Sequence, residues 1–105
     1  MGVEEFWIEF LSTLKKGDVN QIKLMSTERG FEKLVAYRKL EEYSNWLINL
    51  GNRFDNKHLA WAHQSLDKSI LSIGITDDIR SVYPTGLVFI KVDGKWKFDL
   101  LLGAK

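Results

Sequence analysis

Apolar side chains recur at intervals of three and four through the first half of the chain and at alternate positions near its end. Phe6, Trp7, Phe10, Leu11 and Leu14 form one wide stripe of a helix from about Glu4 to Lys16. Glu4 and Glu5 suit the positive end of its dipole, and Lys15 and Lys16 the negative end. Gly17 is placed as a left-handed stop. Asp18 opens a second helix, with Gln21 at capping-box spacing and Val19, Ile22 and Met25 on the buried side. The stretch Ser26 to Gly30 reads as a break. A long helical pattern follows from about Phe31 to Asn52, with Leu40, Tyr43, Leu47, Leu50 and Phe54 along one face and Trp46 beside them. Leu34 to Tyr37 fits a short strand as well as a helix. Gly51 and residues 52–56 mark the exit.

The period then changes. From His58 to Asp67 a strand puts Leu59, Trp61, His63 and Ser65 on one face, whereas a helix groups Leu59, Ala62 and Leu66; the strand is preferred. Ser69 to Ile75 is a clearer strand, with Leu71, Ile73 and Ile75 on one side. Thr76 to Asp78 turns the chain, Ile79 to Tyr83 reads as short strand or loop, and Pro84 removes a donor. Two β-type runs then flank Asp93-Gly94, a pair suited to the positive φ angles of a tight hairpin. A two-residue turn there pairs Val92 with Lys95, Phe89 with Phe98 and Leu87 with Leu100. Leu87, Phe89, Lys91, Trp96, Phe98, Leu100 and Leu102 then share the face that meets the helices. Val88, Ile90, Val92, Lys95, Lys97, Asp99 and Leu101 share the other face; a bulge would change this division. The fold class expected is α+β: N-terminal helices packed on a bent antiparallel sheet formed mainly by the C-terminal half, a cone-like roll.

Composition narrows the picture. The 105 residues make one domain, and 45% are hydrophobic, including four Trp and six Phe, enough for a core without staples. Fifteen basic and fourteen acidic side chains leave a net charge of +1, too small a field to gather nucleic acid. Lys91, Lys95 and Lys97 are the densest basic patch and read as a solvated sheet face or edge. Without Cys there is no disulfide or thiolate chemistry, which fits a reducing cytoplasm. No run reaches the roughly 20 apolar residues of a membrane span. The opening residues do not resemble a secretory signal, although a Met1-Gly2 start replacing a removed leader leaves an exported origin open.

Few residues carry a chemical motif. His58 and His63 lie five apart, a poor spacing for a metal pair on a helix or a strand, so no metal and no cofactor is expected. The serines lack a nucleophile elbow, and the glycines have neither phosphate-loop nor dinucleotide spacing. Trp7, Trp46, Trp61 and Trp96 need partners for their N–H groups, and one of them, Trp46 or Trp61, is expected in a pocket wall.

Three segments resemble the nuclear transport factor 2-like superfamily, which includes SnoaL-like and ketosteroid isomerase-like domains. They are the opening helix Phe6 to Leu11 followed by Lys16-Gly17-Asp18, the Leu24-Met25-Ser26 segment, and the closing strands around Asp93 to Trp96. The resemblance touches about half the chain and implies a cone, a bent sheet wrapped around helices, often with an apolar cavity. Members include isomerases, dehydratases, small-molecule binders and dimeric modules. In an isomerase-like reading, Asp67 or Asp99 serves as base and Tyr37, Tyr43 or Tyr83 as donor. No motif fixes those positions, so no catalytic residue carries over. This chain departs from the pattern in being short and in lacking a clear strand between its second and third helices.

The leading expectation is a non-catalytic module that binds a small apolar ligand or a protein. Tyr43, Trp46, Trp61 and His63 are the candidate ligand contacts, and Val88, Ile90, Val92 and Leu101 the candidate homodimer interface on the sheet face. A cofactor-free isomerase or dehydratase and a partner-binding adaptor of the toxin-neutralising kind are the alternatives.

Overall fold

Helix α1 (Val3–Lys16) buries Val3, Phe6, Trp7, Phe10 and Leu14, and ends at Gly17, whose φ of 68° is the left-handed stop its sequence demanded. The computed structural model describes residues 1–55, 59–73 and 86–103. Helix α2 (Val19–Leu24) is capped by Asp18, whose carboxylate accepts from the Gln21 backbone N–H at 3.1 Å.

The long helix expected over 31–52 is instead three pieces. Helix α3 (Glu28–Leu34) starts earlier than the pattern suggested, because Thr27 caps it by accepting from the Gly30 N–H at 3.1 Å. A reversal at Tyr37, with φ 65°, ends the α3 direction. A 3-10 turn at Leu40–Glu42 then leads into α4 (Tyr43–Asp55). Leu47, Leu50 and Phe54 are buried as the stripe predicted, but Leu40 is exposed, because it belongs to the turn and not to the helix. α4 crosses α1 closely at Gly51: a Cβ there would lie 2.9 Å from the Lys15 backbone N.

The remaining described residues form an antiparallel meander, β1 (Leu59–Gln64), β2 (Lys68–Ile73), β3 (Gly86–Val92) and β4 (Lys95–Leu102), in the spatial order β1-β2-β3-β4. The strand alternative for the segment after His58 is the one realised. The expectations for Ile75 and for 76–85, including Tyr83 and Pro84, and for His58 lie outside the described residues. Asp93 (φ 51°) and Gly94 (φ 78°) make the hairpin turn, and Val92–Lys95, Lys91–Trp96 and Phe89–Phe98 pair as the sequence indicated.

Two bulges correct the expected faces. In β4 the register shifts at Asp99, so Leu101, not Leu100, stands opposite Leu87 and packs on the core. Leu100 and Leu102 turn to the other face, opposite Val88 and Gly86. In β1 the register shifts between Trp61 and His63, so His63 pairs with Ile70 and leaves the face that Trp61 occupies. Each extra residue reverses every side chain beyond it, because the strand period is two.

The described helices cover one side of the sheet. Phe89 and Phe98 are fully buried, with ring centroids 6.0 Å apart, and Phe10 stacks on Phe98 at 5.4 Å. Phe6, Trp7 and Phe10 each lie about 6 Å from Phe89. Burying such a ring contributes on the order of 1.5–3 kcal/mol, so this cluster is the main tie between helices and sheet. The outer edge of β4 is sealed by the segment between α2 and α3. The Phe98 N–H donates to the Met25 carbonyl at 2.9 Å, and the Thr27 N–H donates to the Phe98 carbonyl at 2.8 Å, a parallel bridge at Ser26.

Candidate functional site

The four side chains expected to line a pocket are spread over the molecule. Tyr43 packs edge-on against Phe31 of α3, 5.9 Å between centroids. Trp46, one helical turn on, donates its indole N–H to the Leu34 carbonyl at 2.6 Å, so its polar edge is satisfied within the helical layer. Trp61 rests 6.0 Å from Phe89 on the edge strand farthest from β4. His63 is exposed on the opposite sheet face. Tyr43 and Trp46 are therefore brought together, and Trp61 and His63 stand apart from them and from each other.

The space between α1 and the sheet is occupied by rings. Phe6, Trp7, Phe10, Phe54, Phe89 and Phe98 make a continuous chain of contacts at 5.4–6.2 Å. Among the described residues, two open grooves lie outside this core. One, of about 440 Å³, runs beside α3 between Lys23, Thr27, Phe31 and Glu32. The other, of about 420 Å³, lies between Met1, Leu24, Lys95 and Trp96. Glu28 also lines the first and Glu9 and Lys97 the second, so each groove carries charges of both signs and is open rather than enclosed. Among the described residues there is no group of three or more His, Asp or Glu able to hold a metal.

Among the described residues the buried ionisable group is Asp99, placed by the sequence on the face away from the helices and found against α3. As the extra residue of the β4 bulge, it turns its carboxylate to accept from the Thr27 hydroxyl at 2.8 Å and from Arg29 Nε at 3.0 Å, with a second Arg29 nitrogen closing the fork. Its side chain is 3% exposed, whereas that of Arg29 is 66% exposed and covers it from solvent. The hydrogen bond from Arg29 holds the Asp99 carboxyl below its ordinary value. Burial opposes this, and the Thr27 hydroxyl and the charges of Arg29 and Lys68 add to the lowering. The Asp99 carboxylate oxygens, the Thr27 hydroxyl and two Arg29 nitrogens point at one another, which makes the cluster a clasp between α3 and β4. Asp67 is exposed in the β1–β2 turn, where it shares a hydrogen bond with Ser65.

The sheet face away from the helices carries no described helix. Three rows cross it: Ala60, Ser72, Gly86 and Leu102; then His63, Ile70, Val88 and Leu100; then Lys68, Ile90 and Lys97. Val92 follows at the turn end, 36% exposed. Of the candidate interface residues, Val88, Ile90 and Val92 lie on this face and Leu101 does not. Leu100 and Leu102 join it because of the β4 bulge, and Ile70 stands beside Val88 on the face of β2 opposite to that of Leu71. Lys97 bends off the face to donate to the Leu24 carbonyl at 2.7 Å. Lys91, on the helix side, reaches the Trp96 ring at 5.5 Å.

No helix among the described residues is long and apolar enough to cross a membrane. No family model, curated protein or solved structure matches the chain.

Proposed function

We propose that the chain is a non-catalytic interaction domain of nuclear transport factor 2-like type that pairs with a second copy through the sheet face opposite its helices. The observation that carries this reading is the apolar row Ile70, Val88 and Leu100, continued by Ile90 and Leu102, on a face that no described helix covers. A sheet face that meets only water is normally more polar. Val88 is 5% exposed in the single chain, so the area gained on pairing comes from its neighbours Ile70, Ile90, Leu100 and Leu102. Two copies related by a two-fold axis present the same patch to each other. Lys97, drawn to the Leu24 carbonyl, keeps one charge away from the centre of such a contact.

The ring-filled interior gives no support to the isomerase or dehydratase alternative, which needs an enclosed pocket with an ionisable side chain in it. It gives none to an internal small-ligand site either. A cytoplasmic setting belongs to the same proposal and rests on the cysteine-free composition.

Light scattering over a range of protein concentrations tests the pairing. The wild-type chain is expected to reach the mass of two copies, and Ile90→Lys to remain single while keeping its melting transition. A wild-type protein that stays single at the highest concentration, or an Ile90→Lys variant that still pairs, overturns the reading.

A further inference from the structure

We infer that the corner between α3 and α4 is a docking surface for an acidic segment of another protein, with the Arg38 guanidinium over Trp46 as its carboxylate receptor and Tyr37 and Leu40 as its apolar contacts. Three observations converge there. The first is a held guanidinium. The Arg38 Cζ sits 3.7 Å from the centroid of the Trp46 ring, and that ring is itself fixed by its hydrogen bond to the Leu34 carbonyl. No carboxylate of the described residues pairs with Arg38. A guanidinium stacked on an indole keeps its planar fork of N–H donors free at the rim, already ordered, and such a fork matches a carboxylate bidentately. Less side-chain freedom is then lost when the partner arrives.

The second is the neighbouring charge. Arg53 Cζ lies 5.9 Å from the same ring, and Lys39 follows Arg38 in the chain. The nearby Glu42 carboxylate, exposed at the surface, accepts from the Lys39 backbone N–H at 3.4 Å. The third is Tyr37. Its side chain is 99% exposed and touches no core, yet its backbone takes φ 65°, a conformation disfavoured for any residue with a Cβ. Gly or Asn would make this turn at lower cost, so the fold alone gives no reason for a tyrosine. Leu40, 76% exposed, stands three residues on. An aromatic, an arginine and a leucine grouped on one turn have the composition of an interface centre. Glu41 and Glu42 beside the patch, and a net charge of only +1, favour discrete carboxylates over the continuous phosphates of a nucleic acid.

This surface lies in the helical layer and does not depend on the sheet-face pairing. The test is a two-dimensional amide and indole NMR titration of the full chain with a blocked hexaglutamate peptide, alongside inorganic phosphate and an oligothymidylate. Saturable shifts are expected at Tyr37, Arg38 and the Trp46 indole N–H with the peptide. Arg38→Gln is expected to weaken binding about tenfold, the loss of one charge-assisted fork, and Arg38→Lys to fall between. Tyr37→Gly is expected to weaken binding while raising the melting temperature, since it relieves the strained turn. Ile90→Lys is expected to leave the titration unchanged, which separates this surface from the sheet face. The inference is overturned if the peptide produces no saturable shift, if shifts centre on Lys91, Lys95 and Lys97, if phosphate or the oligonucleotide binds there and the peptide does not, or if Arg38→Gln binds like wild type.

Discussion

Gly30→Ala sets two physical effects against each other. Gly30 lies in the first turn of α3, and helix propensity alone favours Ala over Gly by about 0.8–1.0 kcal/mol in a helix interior. The packing says the opposite. A Cβ at Gly30 would lie 2.5 Å from the Phe98 carbonyl oxygen and 3.1 Å from two backbone atoms of Asp99. Ordinary contact begins near 3.4 Å, so α3 must retreat from β4 by nearly an ångström. None of the three atoms belongs to a side chain that can swing away. Retreat also stretches the Thr27 N–H bond to the Phe98 carbonyl, now 2.8 Å, and the Thr27 and Arg29 contacts to Asp99. Overpacking of this kind costs about 1–3 kcal/mol, and a weakened buried hydrogen bond adds about 1. The steric terms exceed the propensity gain, leaving a net loss of about 1–3 kcal/mol. In a domain of this size each kcal/mol lowers the melting temperature by roughly 4–8 °C. Urea unfolding followed by tryptophan fluorescence should show a lower midpoint with an unchanged slope. A midpoint equal to or above that of wild type would refute the claim that α3 and β4 touch backbone to backbone.

Other consequences are open to the same measurements. Asp99→Asn should remove one acid-sensitive component of stability. The native carboxyl is held below its unfolded value of about 3.9, so its contribution is present above that pH and is lost as pH falls through the native value; wild-type and variant stability curves should therefore converge in acid and separate at neutral pH. Phe10→Ala, which removes a fully buried ring from the centre of the aromatic chain, should cost about 3–5 kcal/mol in chemical denaturation. Ser69→Ala should be neutral or stabilising by about 1 kcal/mol, because the Ser69 hydroxyl is buried with no hydrogen-bond partner. Trp46→Phe should cost about 1–2 kcal/mol by leaving the Leu34 carbonyl without its indole donor.

The elements with strong periodicity were legible in the residues. The α1 stripe, the Asp18 cap and the Asp93-Gly94 hairpin each combine a repeat with a terminating residue, so local chemistry and tertiary packing agree. The break within 31–52 was not legible, because apolar residues on either side of Tyr37 keep near-helical spacing while the backbone reverses there. The bulges were invisible for a different reason. A single extra residue carries no composition signal, and the alternation through Phe98, Leu100 and Leu102 reads equally well in the unshifted register. That one ambiguity misplaced Asp99, Leu100 and Leu101 together. A similar cause parted Trp61 from His63, whose strand spacing promised a shared face until the β1 bulge separated them.

The bridge between Ser26 and Phe98 ties residues 72 positions apart. At about 5–20 residues per second, a ribosome needs on the order of 4–14 s to travel from one to the other. Throughout that interval the Met25 carbonyl and the Thr27 N–H have no strand to meet, and the Phe10 ring has no Phe98 to stack on. The helical half is therefore born unfinished, and β4, which follows β1, β2 and β3 in the chain, completes its contact with the sheet.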